Sequence, residues 1–407
     1  MLSVDEARAR ILRSAAPLPI ERVPLQLALG RVLAEDVRST SPLPAFNYSA
    51  MDGFALEAEA CEGAGPWELP VVGESRTGHP PPEWVKGTAC RIFTGAAIPR
   101  GATAVLLQEN VLDDAGQPVA SARGLASIRF AHRPTVGEHM RLAGEDLPQG
   151  AVGLVQGSRV GSLQLGLLAA LDRGSVLVST RPRVLILNTG DELREPGSPA
   201  LSPTSIPESN SVVLAALARS VGAEVSVAPL ARDDLETTRI ALTAALQHCD
   251  VLVTVGGVSV GDHDLVKPAL EAAGVELDFW KVRMKPGKPL VYGRAGATHV
   301  LGLPGNPMSA QITFMLFGLP LLRALQAKRD CLPRSFELKL LAPLRQKAGR
   351  RGFYPAKWEP GGLVPLGNKA SGNTLGLASA DVLVVMPEDL EELPVGHIVE
   401  ALDLGGV

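Results

Sequence analysis

From residue 183 onward the sequence alternates apolar, strand-like runs with helical segments, and this alternation limits the possible folds more than any other feature. The strand-like runs are RVLILNTG, EVSVAPL, DVLVTVGG and LDFWKVRM, and between them lie helical segments such as SNSVVLAALARSVG and DLETTRIALTAALQHC. Strands separated by helices of this length are joined by right-handed crossovers into a mostly parallel sheet covered on both faces. One more strand, THVLGL, and a long apolar helix follow. We therefore predict a central, parallel α/β domain.

The rest of the chain does not show this regular alternation of strands and helices. Residues 3–15 are predicted to form a helix that begins with a capping box between Ser3 and Glu6. Up to about residue 145, Pro and Gly divide the chain into short strand-like runs, which predict a β-rich insertion. Residues 160–174 are predicted to form a helix that ends at Gly174. The runs SFELKLLAPL, GFYPAKW and DVLVVMPE near the C-terminus predict a small β domain.

Length and composition indicate a multidomain soluble protein. The 407 residues exceed what a single hydrophobic core organises, and 46% hydrophobic against 20% charged residues is typical of a folded chain. The net charge of -4 gives no long-range attraction to nucleic acid or anionic lipid. The N-terminus, MLSVDEARARIL, is unlike a signal peptide, and we find no apolar stretch of the ~18 residues that span a bilayer. We expect a cytoplasmic protein.

The four cysteines do not form a metal-binding or redox motif. Cys61, Cys90, Cys249 and Cys331 lie far apart in the sequence. This spacing favours buried thiols in a reducing compartment over a disulfide framework.

Three glycine-containing loops follow predicted strands of the α/β domain: NTGDEL (188–193), VGGVSVGDHD (255–264) and LGLPGNPMS (301–309). In an open parallel sheet, ligands bind beyond the carboxyl ends of the strands, where exposed backbone amides suit a phosphate or another oxyanion. The loops lack the Lys-Ser/Thr of a Walker A motif, and the chain lacks a G-x-G-x-x-G at a helix start. An ordinary NTPase or nicotinamide enzyme is therefore disfavoured. The candidate binding residues are Thr189, Gly190, Gly256, Gly257, Ser259, Pro304, Gly305, Asn306, Pro307 and Ser309.

Carboxylates accompany the glycine-containing loops. The candidates are Asp191, Glu192, Asp233, Asp234, Asp262 and Asp264. Carboxylates that face an amide-lined phosphate pocket suit Mg²⁺, because this hard cation takes a few protein oxygens together with substrate phosphates. A second interpretation is that Asp262 and His263 only cap the next helix.

Basic residues gather around a stiff turn in KVRMKPGKPL (281–290). Lys285 and Lys288, with Lys281 nearby, can converge on one anion because the prolines of the turn restrict its backbone. The alternative is a solvated basic turn. Arg350 and Arg351 stand in a glycine-flanked loop and, taken alone, are also explained as surface charge.

Long segments of the chain resemble the molybdopterin molybdenumtransferase family, which includes the E domain of gephyrin and its plant counterpart. The segments are FNYSAMDGFAL, RIFTGAAIPRGATAVLLQE, LNTGDEL, TVGGVSVGDHD, FWKVRMKPGKPL and GLPGNPMSA. The resemblance implies an enzyme that takes adenylylated molybdopterin, uses a divalent cation (Mg²⁺) to release AMP, and inserts molybdate at the dithiolene. It also implies a homodimer of four-domain subunits with a shared active cleft, and leaves open a partner adenylyltransferase and acceptor molybdoenzymes.

The resemblance also implies residue roles. Asp264 matches the family's Mg²⁺-associated aspartate, and Asp233 and Glu192 match acidic residues of the same cleft. Asp52 and Thr94 match residues lent to the neighbouring subunit's cleft, with a purely structural role as the alternative. SIPESN (205–210) departs from the family by placing Pro207 before Ser209 and Asn210 of the pterin contact. The set similar to the family's loop serine and molybdate-binding residues is Ser259, Lys285, Lys288, Pro289, Ser309, Arg350 and Ser371.

The overall prediction is an α/β plus β multidomain fold, with a central parallel α/β molybdopterin-binding domain, a β-rich insertion and a C-terminal β-barrel-like domain. The predicted ranges are 1–45 with 146–178 for an elongated helical or linker domain, 46–145 for the insertion, 179–330 for the α/β domain and 331–407 for the C-terminal domain. The competing functions are a molybdopterin adenylyltransferase, which would consume ATP, and a non-enzymatic scaffold.

Overall fold

The computed structural model describes residues 1–200, 202–230, 234–257, 265–367 and 372–405. The chain divides into two compact units. The first comprises Met1–Glu35, Gln156–Ser162 and Ser175–Val407, and the second comprises Asp36–Val155 and Leu163–Gly174. The four domain ranges expected from the sequence stay predictions.

Eight α-helices occur within the described ranges: α1 (Val4–Ser14), α2 (Ser162–Ala170), α3 (Asn210–Ser220), α4 (Leu235–Leu246), α5 (Val266–Ala272), α6 (Pro307–Thr313), α7 (Leu319–Leu325) and α8 (Thr374–Ala378). The strands before residue 180 are β1 (Ile20–Pro24), β2 (Val37–Arg38), β3 (Tyr48–Ser49), β4 (Gly53–Leu56), β5 (Trp67–Ser75), β6 (Ala89–Ile92), β7 (Ala104–Leu107), β8 (Val111–Leu112), β9 (Ser127–Phe130), β10 (Met140–Arg141), β11 (Val152–Leu154) and β12 (Ser175–Ser179).

The later strands belong to the first unit. They are β13 (Arg183–Asn188), β14 (Leu193–Arg194), β15 (Ile206–Pro207), β16 (Glu224–Val227), β17 (Val251–Val255), β18 (Glu276–Trp280), β19 (Met284–Lys285), β20 (Val291–Ala295), β21 (Thr298–Leu303), β22 (Ser335–Lys339), β23 (Leu344–Arg345), β24 (Arg351–Glu359), β25 (Gly362–Pro365), β26 (Val382–Met386), β27 (Glu392–Leu393) and β28 (Ile398–Asp403).

The central sheet has the strand order β16-β13-β17-β21-β20-β18. Four strands, from β16 to β21, run parallel, as the sequence predicts. The edge strand β18, from the run LDFWKVRM, has the same direction as these four strands, because β20 lies between β18 and β21 and is antiparallel to both, so the mostly parallel sheet expected from the sequence is confirmed. The unpredicted strand β20 forms a hairpin with β21 across Gly296, whose positive φ suits a tight turn, so β20 runs opposite to the strands on both sides of it.

Each face of the central sheet has its own core. Ile186 points to the face covered by α1, α3 and the helical segment after residue 307, and its neighbour Leu187 points to the face covered by α4 and α5. Helix α1 contributes Val4, Ala7 and Ile11, whose i, i+3, i+7 spacing puts them on one side. The predicted capping box is confirmed: Ser3 Oγ accepts from the Glu6 N–H, and the Glu6 carboxylate accepts from the Ser3 N–H.

The helical segment Pro307–Leu325 is long and apolar enough to span a membrane by length and composition, with 19 residues and a mean hydropathy of 1.4, so the prediction that no stretch reaches this length is wrong. Its most apolar window is 89% buried inside the protein, which is typical of a core helix. A π-helical turn at Phe314–Gly318 interrupts it. This turn precedes Pro320, which lacks the N–H that a continuous α-helix requires.

The C-terminal strands form the sheet β19-β24-β26-β28-β22, with β25 paired to β24. Leu340, Tyr354, Val384 and Ala401 are among the residues of its core. The three C-terminal strands expected from the sequence are confirmed as β22, β24 and β26. The first strand of this sheet, β19, comes from the lysine-rich turn of the central region.

The second unit contains the six-stranded sheet β7-β4-β6-β5-β9-β8, which agrees with the predicted β-rich insertion. Phe54, Leu106 and Ile128 belong to one core of this sheet. The sequence predicts that helix α2 ends at Gly174, but the helix ends at Ala170. The chain leaves the helix through Asp172, which has a positive φ of 57°.

Candidate functional site

A cavity of about 710 Å³ opens at the carboxyl ends of three central strands in the first unit. Most of the binding residues expected from the sequence line it: Thr189, Gly190, Glu192, Asn210, Gly256, Gly257, Lys285, Lys288, Pro289, Pro304, Gly305, Asn306, Pro307, Ser309 and Arg350. The structure therefore brings these residues together, while their individual roles stay predictions.

Strand pairing explains why the three glycine-containing loops meet. Asn188 is aligned with Val255, and Val255 with Leu303, so β13, β17 and β21 end at the same level. The ladder continues one step beyond the strands: the Thr189 N–H donates to the Val255 carbonyl and the Gly256 N–H to the Leu303 carbonyl, both at 3.1 Å. The residues that directly follow these strands, Thr189, Gly256 and Pro304, therefore lie at one edge of the sheet, where parallel sheets bind ligands.

Two glycines bring the backbone close to the cavity. Gly256 has φ +96°, and a Cβ there would lie 2.7 Å from the Thr189 carbonyl oxygen. Gly257 has φ +58°, and a Cβ there would lie 2.5 Å from the Val266 side chain. Because both positions exclude a side chain, the backbone of Gly256 and Gly257 borders the cavity directly.

Buried polar atoms without partners mark the same region. Asn210 Nδ2 donates to the Gly305 carbonyl at 2.8 Å and joins the start of α3 to the loop after β21. Within the described part of the chain, Asn210 Oδ1 and Thr189 Oγ1 are buried without a hydrogen-bond partner. Buried unpaired polar groups are costly, and their position in a cavity wall suits a ligand that donates hydrogen bonds.

Three cationic residues of the cavity come from segments other than the strand-end loops. Lys285 and Lys288 come from the turn after β18, and Arg350 comes from the loop before β24. They meet because β19 pairs with β24, aligning Lys285 with Gly352. The neighbouring Arg351 turns away and pairs with Asp5 at 2.9 Å. The cavity thus has a basic wall that suits a compact dianion.

The lysine-rich turn is held by close packing. Gly287 has φ +96°, and a Cβ there would lie 2.3 Å from Thr313 Oγ1 and 3.0 Å from the end of Met284. Pro286 and Pro289 flank this glycine and also line the cavity. The backbone that carries Lys285 and Lys288 is therefore fixed.

Lys281 does not line this cavity. Its ammonium lies 4.0 Å from the centre of the Trp280 ring, a cation–π contact that directs the charge to the indole. Lys281, a candidate binding residue from the sequence, is thus not among the residues that line the cavity with Lys285 and Lys288, and its role stays a prediction.

Asp52 and Thr94 lie in the second unit and form a pair. The Thr94 N–H and hydroxyl both donate to Asp52 Oδ1 at 2.8 Å. The Thr94 backbone N–H, followed by its hydroxyl, holds the pKa of the Asp52 carboxyl below its usual range, so the group is ionised at neutral pH. Arg91 supports this loop by donating to the Gly53 carbonyl and to Gln108.

The predicted metal-binding carboxylates are only partly described. Glu192 lines the cavity. Asp234 caps helix α4 by accepting from the Thr237 N–H at 2.7 Å, and this bonding with Thr237 lowers the pKa of the Asp234 carboxyl. Asp233, Ser259, Asp262, Asp264 and Ser371, all candidate residues from the sequence, lie outside the described residues.

The cavity also contains residues that sequence analysis did not select as site residues. Ile206 and Pro207 line it just before Ser209 and α3, so the Pro207 that departs from the family pattern is part of its wall. Phe353 and Tyr354 line it from β24. The pairing of β19 with β24 brings these aromatic residues there, and no local sequence pattern indicates that pairing.

The four cysteines have free thiols, and most of these thiols are buried. The structure has Cys61, Cys90 and Cys249 buried and Cys331 partly buried, all with free thiols, in agreement with the prediction. Burial raises the pKa of both the Cys90 and Cys249 thiols to about 11, so these thiols are protonated at neutral pH.

Comparison with known proteins gives a consistent result along the chain. Three family profiles match: "MoeA N-terminal region (domain I and II)" at residues 2–171, "Probable molybdopterin binding domain" at residues 185–324 and "MoeA C-terminal region (domain IV)" at residues 337–404. Molybdopterin molybdenumtransferase 2 of Mycobacterium tuberculosis is 37% identical over 418 residues, covering 99% of this chain and 100% of the relative.

Two further comparisons agree. Molybdopterin molybdenumtransferase of Haemophilus influenzae is 36% identical over 362 residues, covering 87% of this chain and 86% of the relative. The crystal structure of the molybdopterin biosynthesis moeA protein from Pyrococcus horikoshii OT3 superposes with a TM-score of 0.84 at 28% identity, covering 99% of this chain and 100% of that one.

Proposed function

The chain belongs to the molybdopterin molybdenumtransferase family, and from this premise we propose that its cavity transfers molybdenum onto molybdopterin. The substrates are adenylylated molybdopterin and molybdate, and the products are molybdenum cofactor and AMP. The observation that carries the proposal is the convergence of Lys285, Lys288 and Arg350 with three amide-rich strand-end loops on one cavity of about 710 Å³.

In this proposal the basic wall binds molybdate. Lys285, Lys288 and Arg350 donate charge-assisted hydrogen bonds to the tetrahedral dianion. Ser309 lines the same cavity and supplies a hydroxyl. The packed turn around Gly287 holds both lysines in place before the anion arrives, which reduces the entropy lost on binding.

The strand-end loops bind the adenylylated pterin. Thr189 Oγ1 and Asn210 Oδ1 are buried acceptors without partners among the described residues, and they suit the N–H groups of a pterin ring. The backbone near Gly256 and Gly257 is open to a phosphate, because neither position tolerates a side chain. Backbone N–H groups at such a site stabilise the negative charge that develops on the phosphate as AMP leaves.

Mg²⁺ dependence is part of the proposal. Glu192 lines the cavity, and Mg²⁺ is commonly bound through one or two carboxylates together with substrate phosphates, so the donor type at this position fits the ion. Asp233 and Asp264 are proposed as its principal ligands. When bound, the ion neutralises the pyrophosphate and so favours its cleavage.

We also propose a homodimer whose active cleft is shared. Helix α2 has the sequence SLQLGLLAA, yet only Leu168 is buried and Leu163 is 84% exposed. An apolar helix exposed to this extent is typical of an interface. Asp52 and Thr94 of one subunit then serve the cleft of the other. The location is cytoplasmic, and a molybdopterin adenylyltransferase and acceptor molybdoenzymes are the expected partners.

A single-turnover assay tests the reaction. Purified protein is mixed with adenylylated molybdopterin, with and without molybdate, and with Mg²⁺ or EDTA. We expect molybdate-dependent AMP release and metal insertion, both lost with EDTA, in Asp264→Asn and in Lys285→Ala. In a separate mixture of the protein with molybdopterin and ATP, consumption of ATP would instead support an adenylyltransferase. Absence of AMP release despite ligand binding would support a scaffold.

Mixing inactive variants tests the shared cleft. Asp52→Ala and Lys285→Ala are each inactive in the proposal, but a heterodimer of the two contains one intact cleft. Partial recovery of activity after co-expression supports sharing. Two variants that stay inactive in a proven heterodimer would contradict it.

A further inference from the structure

The side chain of Gln346 is the centre of a hydrogen-bond network beside the basic wall of the cavity. Gln346 follows β23 directly, and its backbone N–H donates to the Glu391 carbonyl at 2.9 Å. Its Nε2 faces three backbone carbonyl oxygens: Pro387 at 2.8 Å, Arg350 at 3.2 Å and Leu390 at 3.2 Å. One side chain thus holds two loops of the C-terminal region together.

The orientation of this amide follows from its neighbours. Three carbonyl oxygens can only accept hydrogen bonds, so the group that faces them must be the NH₂ of Gln346. Its Oε1 accepts from the hydroxyl of Tyr354 at 3.1 Å. A carboxylate at the same position would put an anionic oxygen against the three carbonyls.

The contacts of Gln346 reach two residues of the cavity wall. Arg350 and Tyr354 both line the cavity. A Cβ at Gly352 would lie 2.4 Å from Gln346 Oε1 and 2.3 Å from the Tyr354 ring, so the network fills all the space at this point. The Gly349 N–H donates to the Glu388 carbonyl at 2.7 Å and fixes the loop from its other side.

We infer that Gln346 is a positioning residue, which fixes the backbone of Arg350 and the ring of Tyr354 so that the Arg350 guanidinium is directed at the anion. The inference rests on the proposed function, because it takes Arg350 to bind molybdate. It adds a residue that does not line the cavity itself. The amide of Gln346 donates to carbonyl oxygens and also accepts from a hydroxyl, which neither a carboxylate nor a thioether of similar length can do.

The test is a double-mutant cycle on molybdate binding, measured by isothermal titration calorimetry with the full-length protein. Gln346→Glu is expected to weaken molybdate binding by about tenfold or more, the range expected from losing one hydrogen bond to a charged group, and Arg350→Ala by a similar factor. Because Gln346 acts through Arg350, the double variant is expected to bind no more weakly than Arg350→Ala alone.

Two further variants are measured: a control outside the network and a second substitution of Gln346. Lys347→Ala removes an exposed neighbouring charge outside the network and is expected to leave molybdate binding unchanged. Gln346→Met removes the same hydrogen bonds without adding a charge; it is expected to weaken binding as Gln346→Glu does, and it replaces that variant if circular dichroism shows a loss of folding.

The outcomes separate this inference from the transferase proposal. Wild-type affinity in Gln346→Glu and Gln346→Met, or additive losses in the double variant, would overturn the positioning role even if AMP release proceeds. A non-additive cycle supports the role even if no AMP is released, in which case the transferase proposal fails by itself.

Discussion

Asn210 Nδ2 donates a hydrogen bond to the Gly305 carbonyl oxygen, 2.8 Å away, across 95 positions of sequence. This bond joins the first residue of α3 to the loop after β21, so the amide of Asn210 connects two parts of the cavity wall. Its Oδ1 is buried without a partner in the described structure.

Replacing this amide is expected to loosen the cavity. Asn210→Asp puts a carboxylate oxygen against the Gly305 carbonyl and is expected to cost ~1–3 kcal/mol of unfolding free energy, as for a buried group left unpaired. Urea unfolding followed by tryptophan fluorescence measures the loss, and adenylylated molybdopterin is expected to bind more weakly. Ser220→Ala, at the other end of α3, is the control. Equal stability of Asn210→Asp and wild type would contradict the structural role.

The glycine after β17 offers a test with a matched control. Gly256→Ala and Gly274→Ala both force alanine into a positive φ, which costs about 1–2 kcal/mol. Only at Gly256 does the new Cβ also approach a backbone oxygen, at 2.7 Å; at Gly274 it meets nothing within 4 Å. We expect the larger loss of thermal stability, and loss of substrate binding, only in Gly256→Ala. Similar melting temperatures for the two variants would show that the close contact relaxes freely.

Replacing Lys285 or Lys288 is expected to weaken molybdate binding more than replacing the neighbouring Lys281. Lys285→Ala and Lys288→Ala should each weaken molybdate binding about tenfold or more, because each removes a charged donor from the cavity wall. Lys281→Ala is expected to have little effect, because its ammonium lies against the Trp280 ring. Calorimetry at several salt concentrations measures all three affinities. A loss in Lys281→Ala equal to that in Lys285→Ala would mean that Lys281 also reaches the anion.

A buried histidine is expected to make the first unit sensitive to acid. Burial, with a smaller contribution from Arg294, lowers the pKa of His299 to about 4, and its Nδ1 lies 2.8 Å from the Tyr292 hydroxyl. Asp250 acts in the opposite direction. Since the unfolded chain binds the proton more readily, the stability contributed by neutral His299 is complete above about pH 6.5 and is lost as the pH falls towards 4, by up to ~3 kcal/mol.

The histidine prediction is tested by the pH dependence of unfolding. Urea midpoints of the wild type and His299→Gln are compared between pH 7 and 4.5. The wild type is expected to lose more stability over this range than the variant, which lacks the titrating group. Parallel curves for the two proteins would place the acid sensitivity elsewhere.

Some residues of the cavity could be predicted from their neighbours in the sequence, and others are placed there by pairing between distant segments. Gly256 and Gly257 stand directly after an apolar strand, so their place at a strand end could be predicted from neighbouring residues. The choice of Arg350 over Arg351 could not be derived in that way: both follow Gly349, and only the pairing of β19 with β24 directs the first to the cavity and the second to Asp5. The role of Gln346 could not be predicted from its neighbours either, since the hydrogen-bond partners of its side chain lie up to 44 positions away in the sequence.

The sequence by itself determined that the strands β13, β16, β17 and β21 are parallel, where the glycine-containing strand ends lie, and the family, because periodicity and long motifs are properties of neighbouring residues. Tertiary structure alone decided that β18 and β20 run antiparallel, that Lys281 turns to Trp280, and that Gln346 supports the wall that carries Arg350. Each of these depends on pairing between segments distant in the chain, and such pairing is selected by the packing free energy of the whole unit rather than by any local pattern.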